Sequence, residues 1–157
     1  MTLGAVNREQ LLVVEEVTVK ASEDIEKGEL IYNDGSGFLA MPNTVVNAKA
    51  YVALEDHDYS EKASHTITAA LVGCVTVQKK TGTAVKKGQR LMVSSDVGEV
   101  TLFAKGDAPT GGASTYYTTA IEDGVQAALD TDIRIVGTCA ADAVSDDTEC
   151  KAWIGVI

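Results

Sequence analysis

The sequence predicts a mainly-β domain: a compact β-barrel, or a β-sandwich or β-clip-like unit, made of two related halves with at most one short helix. Three observations carry this. Thr, Val, Ala and Gly are abundant while aromatic residues make up only 5% of the 157, a balance that suits short strands and many turns. Apolar–polar alternation recurs between turn signals spaced roughly 8–12 residues apart. One strand–turn–strand pattern occurs twice, about sixty residues apart.

The first copy runs Val17-Thr18-Val19-Lys20, a polar turn, Ile25 to Tyr32 with a turn at Gly28, and then Asp34-Gly35-Ser36-Gly37 before Phe38-Leu39-Ala40. The second runs Val75-Thr76-Val77-Gln78, a turn, Val85 to Val93 with a turn at Gly88, and then Asp96-Val97-Gly98 before Val100-Thr101-Leu102. Ile67–Val75 and Ile133–Cys139 extend the likeness through Leu71-Val72-Gly73-Cys74 and Ile135-Val136-Gly137-Thr138. The reading is an N-terminal arm over residues 1–12 and one β-rich domain over 13–157, with an internal repeat at 17–75 and 75–139. Two copies are too few for a solenoid, so two half-barrels packed together are expected.

Element by element, residues 1–10 mix small and polar types without a period and read as a flexible arm. Val13–Lys20 alternates as a strand, and Ser22-Glu23-Asp24 turns it. Gly28 supplies a turn residue that tolerates positive φ, and Asp34-Gly35 is the strongest hairpin signal. Val45–Leu54 reads as a strand and Glu55–Ala63 as an exposed charged loop. Ile67–Gln78 is a long β-prone run, central in a sheet, and Gly98–Lys105 alternates again. Asp107–Ser114, with Pro109 and Gly111-Gly112, is a loop. Tyr116–Ala120 is a short strand, and Ile121, Val125 and Leu129 space one helical turn that Gly124 weakens. Ile133–Cys139 and Lys151–Ile157 close the chain as strands.

The formal net charge of −10 opposes binding to nucleic acid, whose affinity rests on clustered Lys and Arg. Lys79-Lys80 and Lys86-Lys87 flank one turn and read as a solvated hairpin tip. No stretch approaches the roughly 18 apolar residues of a membrane span. Met1–Lys20 lacks the basic start and apolar run of a secretion signal, so synthesis in the cytoplasm is expected.

No residue set points to chemistry. The two histidines, His57 and His65, flank the charged loop, and no nucleophile–base–orienter arrangement accompanies them. The Glu55-Asp56-His57-Asp58 run offers ligand atoms, but neighbours along one loop rarely converge on one metal. Asp142, Asp146, Asp147 and Glu149 lack the spacing of a calcium loop. Cys74 reads as a small buried hydrophobe. Cys139 and Cys150 flank a polar loop, where they could face each other across a hairpin and oxidise, and match no zinc pattern; reduced thiols are the favoured expectation in a reducing compartment. The expectation is a non-enzyme with no catalytic, cofactor or metal site. Leu3, Val6, Leu11 and Leu12 give the arm apolar residues that order against a neighbour, and these are the candidate partner contacts. Trp153 and Ile157 read as core or contact residues.

The arm, the Val-x-Val strand, the Ile/Val-x-Lys-Gly turns, the Gly-rich hairpin and the closing Val136-Gly137-Thr138 through Trp153-Ile154-Gly155-Val156 resemble the head-decoration, or capsid cement, proteins of tailed phages and related viruses. The resemblance covers most of the chain and rests on generic motifs; the Glu55–His65 loop departs from the compact members. It implies a structural virion protein on the outer face of an assembled capsid. Its partner would be the major capsid protein, and it would form a homotrimer at local three-fold positions without a cofactor, nucleic acid or membrane. A second resemblance, of Asp24-Ile25-Glu26-Lys27-Gly28-Glu29 to the Asp-Ile-x-x-Gly turn of β-clip domains, implies an accessory binder of a small molecule or glycan. Tyr59, Tyr116 and Tyr117 would then form its binding surface.

Overall fold

The computed structural model describes residues 12–45, 48–104 and 135–155. Leu3, Val6, Leu11, Tyr116, Tyr117, Ile157 and the turn of helix read at Ala120–Leu129 lie outside the described residues. Those described form strands and connections only: β1 (Val13–Thr18), β2 (Leu30–Asn33), β3 (Phe38–Ala40), β4 (Tyr51–Ala53), β5 (Thr66–Gln78), β6 (Arg90–Val93), β7 (Val100–Leu102), β8 (Ile135–Cys139) and β9 (Glu149–Ile154). They make one antiparallel sheet in the order β3-β2-β4-β5-β9-β8-β6-β7, with β1 also on β5. The fold is a curled, mainly-β, barrel-like sheet.

β5 is the spine. Its 13 residues alternate buried with more open positions except at Ala69–Val72, and its partner changes midway. β1 pairs with it from Thr66 to Val72, whereas β9 pairs with it from Gly73 to Gln78. Gly73 stands at the handover with φ 146°, a backbone setting that side chains disfavour. Each end of the sheet then curls back on itself. A parallel bridge Val19↔Phe38 brings the end of β1 to β3, and Lys79↔Val100 brings the end of β5 to β7.

These contacts make the internal repeat a matter of hydrogen bonds. In the first half, Ile25 and His57 exchange backbone bonds, the Gly28 amide donates to Ala53 O, and the Ala53 amide donates to Glu29 O. In the second, Val85 and Ala143 exchange bonds, Gly88 donates to Cys139 O, and Cys139 donates to Gln89 O. Asp56 accepts from the Lys27 amide just as Asp142 accepts from the Lys87 amide. The equivalences are therefore Val17 with Val77, Gly28 with Gly88, Ala53 with Cys139 and Ile67 with Cys150. This corrects the alignment of Val17-Thr18-Val19 with Val75-Thr76-Val77. The similar tripeptide lies two residues too early, because register is set by Val17↔Ile67 and Val77↔Cys150. The halves are accordingly β1 to the first part of β5, and the rest of β5 to β9.

Both halves fill the same interior positions. One core cluster holds Val17, Val19, Ile25, Ile31, Phe38, Ala53, Ile67 and Ala69. The other contains Val77, Val85, Leu91, Val100, Cys139, Cys150 and Ala152 at the matching positions. It also takes in Leu30, Met41, Val52 and Ala70 from the first half, and these four weld the halves together. Burying them removes apolar surface from water and stabilises the join at about 25 cal/mol per Å².

One matching position breaks the pattern. Lys79 stands where the first half has Val19, and it is fully buried at 0% exposure. Its side-chain nitrogen donates to Lys80 O at 2.9 Å and Thr83 O at 2.8 Å, with Ser145 O at 3.5 Å. The expectation of a solvated hairpin tip is corrected here: Lys86 and Lys87 fit it, Lys80 is half-buried and bonds Ser95 and Asp96, and Lys79 ties the turn to the loop before β9.

Candidate functional site

The sequence-read contact residues lead to the free end of β1. Leu12, the described member of that set, is 44% exposed, and Val13 and Val14 that follow are each 48% exposed. The strand alternates into the core only from Val17 onward. Among the described residues its first half is held by β5 on one edge alone, with a register shift between Val13 and Val14. Sequence reasoning stopped at Leu12 because Val13 and Val14 read as ordinary strand residues. Two adjacent valines at a strand start were the available signal, since they point to opposite faces and a half-covered strand buries only one.

The charged loops are structural. Asp58 accepts from the Ser60 amide and hydroxyl, and Asp24 from the Tyr59 amide. Glu55 accepts from the Thr68 amide, and Asp147 accepts from the Val144 amide. Asp58 and Asp147 close their own turns, whereas Asp24 and Glu55 tie together segments distant in sequence. Hydrogen bonding from Ser60 holds the Asp58 carboxyl below the usual range, and bonding from Thr68 does the same for Glu55. At the hairpin, Lys20 Nζ lies 2.6 Å from Asp34, which holds that carboxyl well below the carboxylate range.

His57 does not belong to an exposed loop. It is 3% exposed, because its backbone pairs with Ile25 and draws the ring under the loop. Its Nε2 lies 3.3 Å from His65 Nδ1, and the Tyr59 ring stacks on His65 at 3.9 Å. The pair shares one hydrogen bond, so one ring donates and the other accepts. His57 Nδ1 is buried without a partner. Among the described residues no group of three or more His, Cys, Asp or Glu could hold a metal ion.

Cys139 and Cys150 are buried and free, while Cys74 is half-buried rather than fully inside. β8 and β9 pair Cys139 with Ala152, so Cys150 sits diagonally, one pleat along. Burial pushes the Cys139 thiol up and the Cys150 thiol up to about 12.

The seam between the halves is the remaining feature. The Gln78 amide donates to Gly28 O at 2.8 Å, and its side-chain nitrogen donates to Glu26 Oε2 and Lys27 O. The Leu30 amide donates to Gly98 O, and Gly98 to Met41 O. Beside it opens a cleft of about 490 Å³ lined by Glu26, Lys27, Asp56, Thr76, Gln78 and Glu149. Its carboxylates are in part engaged already, Asp56 by the Lys27 amide and Glu26 by Gln78.

No family model, curated protein or solved structure matches the chain.

Proposed function

We propose that this is a structural virion protein that binds the outer surface of an assembled tailed-phage capsid and braces it. The observation that carries the reading is the exposed apolar start of β1, Leu12-Val13-Val14, directly continuing the sequence that holds Leu3, Val6 and Leu11. An apolar strand start with one free edge is suited to an ordering contact on a larger surface. The decoration-protein resemblance of the sequence supplies the class of surface: the shell of major capsid protein. Affinity on such a lattice comes from many modest symmetric contacts acting together.

The glycan-binding alternative needs exposed aromatic faces. Tyr59 gives one of its faces to His65 at 3.9 Å, which leaves less of the ring for a sugar.

The test is co-sedimentation of the full chain, and of a chain lacking residues 1–10, with assembled capsid shells stripped of surface proteins. The full chain should pellet with the shells, and the shortened one should lose occupancy while keeping its β-sheet circular dichroism. A full chain that stays in the supernatant, or a shortened one that binds equally well, overturns the proposal.

A further inference from the structure

The internal repeat matches donors to acceptors across the seam, and among the described residues it leaves one matching donor and one matching acceptor unused. At the seam, the turn of the first half meets the strand that opens the second: Gly28 O accepts from the Gln78 amide. The position equivalent to Gly28 is Gly88, and the position equivalent to Gln78 is Thr18. The Val19 amide donates inward to His65 O, as the Lys79 amide donates to Thr148 O. The Thr18 amide therefore faces away from β5, as the Gln78 amide faces away from β9. Among the described residues, the Thr18 amide meets no acceptor and Gly88 O no donor. A Cβ at Gly88 would meet nothing within 4 Å, whereas one at Gly28 would touch Gln78.

The faces around these groups repeat the asymmetry. Leu30, Val52 and Ala70 of the first half are buried in the joint core. Their counterparts in the second half are Arg90, which is exposed, and Thr138 and Trp153, which are half-buried. The residues on the other side change in step. Thr76, beside Gly28 at the seam, corresponds to the exposed Glu16, and Glu26 in the turn corresponds to the exposed Lys86. The unused turn carries Lys86, Lys87 and Arg90, with Asp142 3.5 Å from the Lys86 side chain, and the unused strand carries Glu15 and Glu16. The closed seam joins a buried apolar face, Leu30, Val52 and Ala70, to a cleft lined by Glu26, Lys27, Asp56 and Glu149. Its open counterpart is charged with opposite signs on its two sides, so each side is soluble alone and attracted to the other.

We propose that a second copy of the chain occupies this open seam head to tail. The β1 edge of one copy lies on the Lys86–Gly88 turn of the next, and the Thr18 amide donates to Gly88 O as Gln78 donates to Gly28 O within the chain. Such a contact is heterologous, so it closes into a ring where the rotation permits and otherwise grows as a filament. It rests on the internal repeat and is independent of capsid binding. A chain that assembles this way but ignores shells, or the reverse, separates the two proposals.

The test measures mass in solution by light scattering over a wide range of concentration. The intact chain should rise above the 16.5 kDa of one copy. Lys87→Glu alone and Glu16→Lys alone should each weaken assembly about tenfold or more, because each sets like charges together. Both changes in one chain should restore assembly, since the charges are exchanged and complementary again. Amide exchange provides the second reading: Thr18 should become protected on assembly, while Gln78 is protected throughout and reports an intact fold. A chain that stays at 16.5 kDa, single reversals that leave the mass unchanged, or a double variant that remains monomeric overturns the proposal. So does assembly sensitive to Glu16→Lys but not to Lys87→Glu, which would mean that two β1 edges pair with each other.

Discussion

Three residues show how much of this fold depends on particular atoms. Gly137 lies on β8 against β9, where a Cβ would run into the carbonyl oxygen of Trp153. Gly137→Ala should therefore cost about 1–3 kcal/mol, the usual range for overpacking a filled site, and a urea melt measures it. Lys79 bonds two turn carbonyls at 2.9 and 2.8 Å from a fully buried position. Lys79→Met keeps the length but removes the donors, so a loss of about 2 kcal/mol is expected in the same melt. Glu99 has a buried Oε2 without a partner, and desolvation raises its carboxyl above the ordinary 4.5. The unfolded chain then gives up this proton at a lower pH than the folded one. The unfavourable contribution is absent below 4.5, grows as pH rises toward the folded value, and is constant above it. Glu99→Gln should accordingly stabilise at neutral pH and leave stability unchanged in acid, as paired melts at the two pH values would show. Glu29, raised by burial and lying near Glu99, adds to the same trend.

Among the elements, β5 and the glycine turns organise the rest. β5 holds β1 and β4 through its first part and β9 through its second, so each half contributes to one continuous strand. The Gly28 and Gly88 turns share φ 89° and the same carbonyl partners one half apart, which is why the motif was visible at both places. The second half also buries two thiols that the first half replaces with Ala53 and Ile67. Thiolate is the reactive form of cysteine, and burial raises both Cys139 and Cys150. In native protein near about pH 8, a thiol reagent should modify Cys74 first. Cys139 and Cys150 should react only on unfolding, and a time course followed by mass spectrometry checks the order.

For the whole molecule, the consequence of the repeat is that one chain has a closed seam inside and, among the described residues, a matching one left open. The proposed capsid attachment through the β1 start and the proposed self-assembly through the Lys86–Gly88 turn would use neighbouring parts of the first strand, Leu12–Val14 and Glu16–Thr18. On a capsid lattice the two contacts would reinforce one another, because a ring of copies presents several β1 starts at once. Lys87→Glu should then lower shell occupancy at limiting protein concentration and less so at saturation, which a binding isotherm on shells would resolve.

The sequence alone determined the β class, the turn positions and the existence of a repeat. All three rest on local rules: side-chain alternation, the backbone freedom of Gly28, Gly35 and Gly88, and like residues in like order. Tertiary structure decided what local rules do not contain. The true register of the repeat depends on which strand partners Val77. The burial of Lys79 and His57 depends on carbonyls and a strand distant in sequence, so both were read as solvent-exposed from their polar neighbours. The candidate contact surface was legible at Leu12 and continued into Val13 and Val14 only once β1 was seen to be paired on a single edge. The open seam was beyond sequence reading altogether. It becomes visible only when two halves, superposable by their hydrogen bonds, are found to differ in whether their outer faces are covered.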